Sequence, residues 1–147
     1  MTDFKFKTID QMSGREHFCV ERLRLDTFVT QQKITVAEAD DLDLVATHVF
    51  LLNQDETNAL ATCRIFRDHR QWILGRVAVS ATMRSQQLGR KMLEAVHAYL
   101  AAQGVFTLSC HAQVQAQGFY ERLGYEILGE PFPEAGIDHI LMCKRLV

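Results

Sequence analysis

No stretch of this chain approaches the roughly eighteen consecutive apolar residues that a membrane-spanning helix needs. The opening MTDFKFKTID lacks the charged-then-apolar order of a secretory signal, so the expected location is cytoplasmic. C-x-x-C pairs are missing as well. Cys19, Cys63, Cys110 and Cys143 stand far apart, which excludes the spacing of structural zinc and leaves thiols that read as small buried hydrophobes in a reducing compartment. There is no strip of positive charge: 16 Lys and Arg are dispersed among 18 Asp and Glu, for a net charge of −2. Nucleic acid is therefore not expected as the main partner. Neither G-x-x-x-x-G-K-S/T nor G-x-G-x-x-G occurs, which argues against a P-loop and a dinucleotide fold. Repeats and low-complexity segments are absent too.

What is present is a 147-residue chain with 48% hydrophobic residues, enough for one core and short for two, so residues 1–147 read as a single domain. Acidic residues cluster in EADDLD, Glu38 to Asp43. Such a run attracts a cationic substrate or is simply a solvated loop, and the loop is the plainer reading.

Periodicity orders the elements. FKFKTI, Phe4 to Ile9, alternates as a half-buried strand does. Ser13 can cap a helix running to about Val29, with Phe18, Leu25 and Val29 on one face and Arg22 interrupting it. After a polar segment from Thr30 to Leu44, ATHVFLLN, ALATCRIF and QWILGRVAV read as an antiparallel meander of three strands. A helix from about Leu88 to Gln103 carries Leu88, Met92, Val96, Tyr99 and Leu100 at helical spacing, and Gly104 can end it. VFTLSCH is a strand, Gln113 to Leu123 a short helix closed by Gly124, YEIL a strand, and HILMCKRL a last strand after the loop GEPFPEAGID. A mixed α/β (α+β) sheet with helices on its faces satisfies this order.

VAVSATMRSQQLGRKML, residues 77 to 93, passes from a β-branched run through a polar loop into a helix. The first amides of that helix have no partner inside it. With the helix dipole they form a site for a phosphate or pyrophosphate, to which Arg84 and Arg90 add charge-assisted contacts while Gly89 permits close approach. On the loop alone, a plain connection with solubilising arginines is the better reading.

The same stretch resembles the acyl-CoA pyrophosphate loop of the GNAT acetyltransferases, with Arg84, Leu88 and Gly89 matching and Gln87 standing where the first glycine is usual. Downstream, AQVQAQGFYERLGY resembles a second motif of that family, with Ala112, Gln113, Ala116, Phe119, Tyr120, Gly124 and Tyr125 in register. RLRLDTFVTQQ, DDLDLVATH and EAGIDHILM are similar to stretches of the ElaA-like branch, although Gln31 stands where glutamate is common.

The resemblance implies a mixed, mostly antiparallel sheet of about seven strands, splayed between the fourth and fifth. It also implies one acyl-CoA N-acyltransferase domain that uses acetyl-CoA (coenzyme A) as co-substrate. Main-chain groups around Val77, Ala78 and Val79 would pair with the pantetheine. Arg84, Ser85, Gln86, Gln87, Leu88, Gly89 and Arg90 would hold the pyrophosphate, with Gln113 and Phe119 also on the cofactor. The reaction implied is direct attack by an amine on the thioester in a ternary complex, with Tyr120 giving a proton to the departing thiolate. Without the family, Tyr120 reads as core packing. An amine near pKa 10.4 also needs a base, and Glu38, Asp40, His48, His111 and His139 are the available groups. Gln32, His48, His111 and His139 are candidates for the acceptor side.

Cys110 and His111 point to opposite sheet faces and cannot form a nucleophile and base. Glu134, Asp138 and His139 supply no fixed metal-ligand spacing, so no metal is expected. A non-catalytic acyl-CoA-binding module is the alternative, and a nucleotide-binding α/β domain a third reading. The partners expected are acyl-CoA and a small-molecule or peptide amine, with no membrane; whether the chain forms a homodimer is left open.

Overall fold

A computed structural model describes residues 3–147, and of residues 85 and 86 the backbone alone. The first strand, β1 (Lys5–Thr8), leads through a 3₁₀ turn to α1 (Gly14–Arg24). Ser13 caps α1 because its hydroxyl accepts the Glu16 amide while the Glu16 carboxylate accepts the Ser13 amide in return. That carboxylate also takes Lys7 at 3.0 Å and Lys5 at 3.3 Å, tying helix to strand. Burial pushes the Glu16 pKa up, but the Ser13 amide and the two lysines outweigh it and bring it to about 2.

β2 (Thr47–Leu52), β3 (Ala59–Asp68) and β4 (Gln71–Val79) form the expected antiparallel meander, with β1 along β2. There follow α2 (Leu88–Ala102), β5 (Thr107–Gln113), α3 (Gln117–Arg122), β6 (Glu126–Ile127), β7 (Phe132–Glu134) and β8 (Ile137–Arg145). The sheet order is β1-β2-β3-β4-β5-β8-β6, with β7 pairing onto β8. It is mixed and mostly antiparallel, β4 and β5 being a parallel pair. α1 buries Cys19 and Leu23 over Ala59 and Ala78 on one face. On the other, Met92, Leu93, Val96 and Leu100 of α2 pack against Val49, Ile65, Leu74 and Met142. Each such aliphatic side chain contributes roughly 1.5–3 kcal/mol by leaving water. Gly104 and Gly124, at φ 80° and 94°, close α2 and α3 in the left-handed conformation that glycine favours.

The structure corrects the sequence reading in four places. Phe18, Leu25 and Val29 are 57%, 42% and 40% exposed, so they are not the buried face. The helix stops at Arg24 and continues as a π turn over Leu25–Gln31, and the face turned inward through both is that of Cys19, Leu23, Arg24 and Phe28. Gln113 ends β5 rather than opening a helix, and a 3₁₀ turn precedes α3. The loop before the last strand holds β7, an eighth strand, because Ala135 and Gly136, at φ 53° and 80°, make a two-residue hairpin turn into β8. Finally, the acidic run is not a solvated loop.

Candidate functional site

β4 and β5 share only three rungs, Trp72 with Leu108, Ile73 with Ser109 and Leu74 with Cys110, whereas β5 stays paired to β8 as far as Gln113. The divergence follows from a bulge. Arg64 pairs with Gly75 and Thr62 with Ala78, so Arg76 and Val77 together oppose Cys63, and Arg76 sits at φ 52°. The fork opens a cleft of 1360 Å³, above the roughly 300–1,000 Å³ usual for one small-molecule pocket. It has room for more than one reactant.

Charge holds the bulge in place. Arg76 Nε lies 2.9 Å from Glu38 Oε2, and its guanidinium also donates to the Glu38 carbonyl. Arg24, with a side chain 2% exposed, donates to Glu38 Oε2 at 2.8 Å and to Asp43 at 2.9 and 3.1 Å. Arg64 binds Asp40 at 2.6 Å and Asp43 at 2.9 Å. Three arginines thus neutralise three carboxylates. Burial pushes Glu38 above the usual carboxylate range in spite of its arginines. The Arg64 hydrogen bond lowers Asp40. Burial also pushes Asp43 up, but Arg24 and Arg64 outweigh it and hold it far below that range.

At the cleft mouth Gln87 adopts φ 55°, ψ 29° directly ahead of α2, the shape a glycine would take most easily. A Cβ on Gly89 would stand 3.3 Å from Val79 Cγ2 and 3.5 Å from Phe119 Cζ, so the start of α2 lies tight against β4 and α3. Arg84 donates from Nη2 to Gln31 Oε1 at 2.7 Å and from Nε to the Val79 carbonyl at 3.3 Å. Deeper, the amides of Gln32 and Gln113 exchange hydrogen bonds of 2.8 and 3.3 Å across the cleft. Tyr120 lies edge-on to Phe119 and Tyr125, ring centroids 5.1 and 5.4 Å apart. Burial raises its pKa, which keeps the phenol protonated at any working pH.

A family model for the acetyltransferase (GNAT) domain matches residues 15–146. The chain belongs to the GNAT family. Protein ElaA of Escherichia coli strain K12 is 26% identical over 144 residues, covering 93% of this chain and 92% of that one. The crystal structure of Escherichia coli ElaA superposes with a TM-score of 0.88 at 22% identity, covering 98% and 99% of the two chains. These matches place the chain in the ElaA-like branch. An acyl-CoA N-acyltransferase from Pseudomonas aeruginosa is 29% identical, with a TM-score of 0.85 over 98% of this chain and 99% of that one. An aminoglycoside 6'-N-acetyltransferase complexed with coenzyme A shares the fold, at TM-score 0.70 and 16% identity over 97% of each chain.

Within this GNAT cleft the structure gathers Gln32, Val77, Val79, Arg84, Gln87, Gly89, Arg90, His111, Gln113, Phe119, Tyr120 and His139. Ala78 and Leu88 are 2% and 4% exposed and belong to the core, so they offer the cleft only backbone. The side chains of Ser85 and Gln86 lie outside the described residues. His48 is not brought to the cleft. It is 3% exposed, its Nε2 lies 2.9 Å from the Asp43 carbonyl, and burial lowers its pKa, so it props the acidic segment. Sequence reasoning missed Arg24, Arg64 and Arg76, whose one signal is charge set into otherwise apolar elements. Among the described residues no group of three His, Cys, Asp or Glu side chains converges as metal ligands, and no helix is long and apolar enough to cross a membrane.

Proposed function

We propose that this protein is an acetyl-CoA-dependent N-acetyltransferase that brings acetyl-CoA and a small-molecule or peptide amine together in one ternary complex. Residues 1–147 act as a single domain, and four free thiols suit a cytoplasmic setting. The observation that carries the reading is the fork between β4 and β5, which leaves Gly75–Val79 without a partner strand on the β5 side and points to the start of α2. An extended pantetheine fits such an edge as an added strand fits a sheet. The amides opening α2, with Arg84 and Arg90, suit the pyrophosphate. Acetyl-CoA supplies the activated acyl group.

Tyr120 acts as a donor to the departing sulfur. A phenol is a weaker acid than a thiol, so it gains from position rather than acidity. The test is thiol release from acetyl-CoA with a panel of amines, alongside calorimetry of acetyl-CoA binding. Amine-dependent release is expected, and Tyr120→Phe should lower kcat by about 10² or more with acetyl-CoA affinity kept. Tight binding with no turnover on any amine would instead identify a non-catalytic acyl-CoA sensor.

A further inference from the structure

Acyl transfer to an alkyl amine needs a base, because an ammonium like that of lysine, with a pKa of about 10.4, arrives protonated. Most acidic and basic groups near the cleft are already committed. Glu38 is held by Arg24 and Arg76, Asp40 and Asp43 by Arg64 and Arg24, and His48 by the Asp43 carbonyl.

His111 is placed differently. It is the first residue of β5 beyond the last rung shared with β4, and its half-exposed ring lines the cleft together with Tyr120. Its Nδ1 lies 2.8 Å from Glu134 Oε1, and Phe132 meets the ring edge-on at 5.1 Å. An ionised carboxylate can only accept, so this contact puts the proton on Nδ1 and leaves the lone pair of the neutral ring on Nε2. No hydrogen bond engages that nitrogen among the described residues. On the other side of the carboxylate stands His139, whose Nδ1 donates to the Ile137 carbonyl at 2.8 Å. Its Nε2 is 3.7 Å from Glu134 Oε2, so the nitrogen left without a proton faces the carboxylate and not a substrate.

Resting on the acyl-transfer reading above, we infer that His111 is the general base for a primary alkyl amine, with Glu134 as its positioning residue. Nε2 takes one ammonium proton and passes it to solvent. The nitrogen lone pair then forms the C–N bond as the C–S bond breaks. A second nitrogen proton leaves in that step and replaces the one Tyr120 gives to sulfur. Facing His111 are Glu134 on β7 and His139 on β8; on β4 the Arg76 guanidinium is turned to Glu38, and the π turn presents the neutral Gln32.

Two measurements test this. ¹⁵N NMR of the imidazoles in the full chain should show the neutral His111 ring protonated on Nδ1, where the Glu134 carboxylate accepts, and Glu134→Ala should move the proton toward Nε2. A tautomer unchanged by Glu134→Ala overturns the dyad, whatever the protein does with amines. In thiol-release assays His111→Gln should lose about 10²-fold in kcat with phenethylamine. With phenylacetic hydrazide, which arrives unprotonated, the loss should be under about tenfold, and acetyl-CoA affinity should be unchanged. Equal losses on the two nucleophiles overturn His111 as base. A wild type that binds acetyl-CoA yet releases no thiol with any amine overturns the acyl-transfer reading itself, whereas the NMR result bears on the dyad alone.

Discussion

Replacing Arg24 by methionine removes the guanidinium but keeps an unbranched apolar stem of similar reach. Four hydrogen bonds disappear: one to the Glu38 carboxylate, one to the Glu38 carbonyl and two to Asp43. Arg76 still serves Glu38 and Arg64 still serves Asp43, so neither carboxylate is wholly orphaned, yet the network is left one positive charge short. Removing one member of a buried ion pair costs about 3–5 kcal/mol, and the remaining partners put this site near the lower end, at about 3 kcal/mol. Against a total stability on the order of 10 kcal/mol for a chain of this size, that is a large fraction. With a urea m value of roughly 2 kcal/mol/M, the unfolding midpoint should fall by about 1.5 M. Adding Asp43→Asn to Arg24→Met should recover part of the loss, because the uncompensated charge goes with it. A loss below about 1 kcal/mol at unchanged m, the range of an exposed pair, would refute a buried and energetically coupled network, as would strict additivity of the two substitutions.

Gln87→Gly should stabilise the chain by about 0.5–1 kcal/mol, since a left-handed residue with a side chain costs about 1–2 kcal/mol and glycine's extra freedom when unfolded returns part of it; a Tm rise of roughly 2–4 °C in a melting curve checks this. Arg84→Ala should weaken acetyl-CoA binding by about tenfold or more in calorimetry, in keeping with the loss of a charged hydrogen bond, with kcat at saturation little changed. Burial, aided by Lys144, lowers the His97 pKa from 6.5 to about 4, and its Nε2 takes the Tyr125 hydroxyl at 2.7 Å. Between those values the unfolded state binds more protons, so stability is full above pH 6.5 and falls by at most about 3 kcal/mol as pH drops to 4. Urea midpoints across that window should show the fall, and His97→Gln should flatten it.

Strand positions are legible in this chain because alternation and turn residues are local signals, and the loop and α3 motifs stand out because their residues lie close together in sequence. The face of α1 was not legible. The buried positions Glu16, Cys19, Val20, Leu23, Arg24, Thr27 and Phe28 recur at helical spacing, but Glu16, Arg24 and Thr27 among them are polar, so apolarity alone favours the neighbouring face of Phe18, Leu25 and Val29. β7 is three residues long and contains Pro133, a poor strand signal on its own. The role of the acidic segment depends on arginines that lie 14 positions from Glu38 in one direction and 38 in the other, a separation that no periodicity reports. The sequence offers Glu134 only as a candidate metal ligand, since nothing local shows that β7 folds it against His111.

The short seam between β4 and β5 has a consequence for solubility. A row of open amide and carbonyl groups on the rim of a sheet invites another molecule's strand and begins aggregation. Here the row lies indoors, between the bulge on one side and the body of β5 with α3 on the other. A strand of another polypeptide would have to bring its side chains in between β4 and β5, whereas a slender unbranched ligand has none to place. The molecule can therefore keep part of its sheet unfinished without becoming sticky.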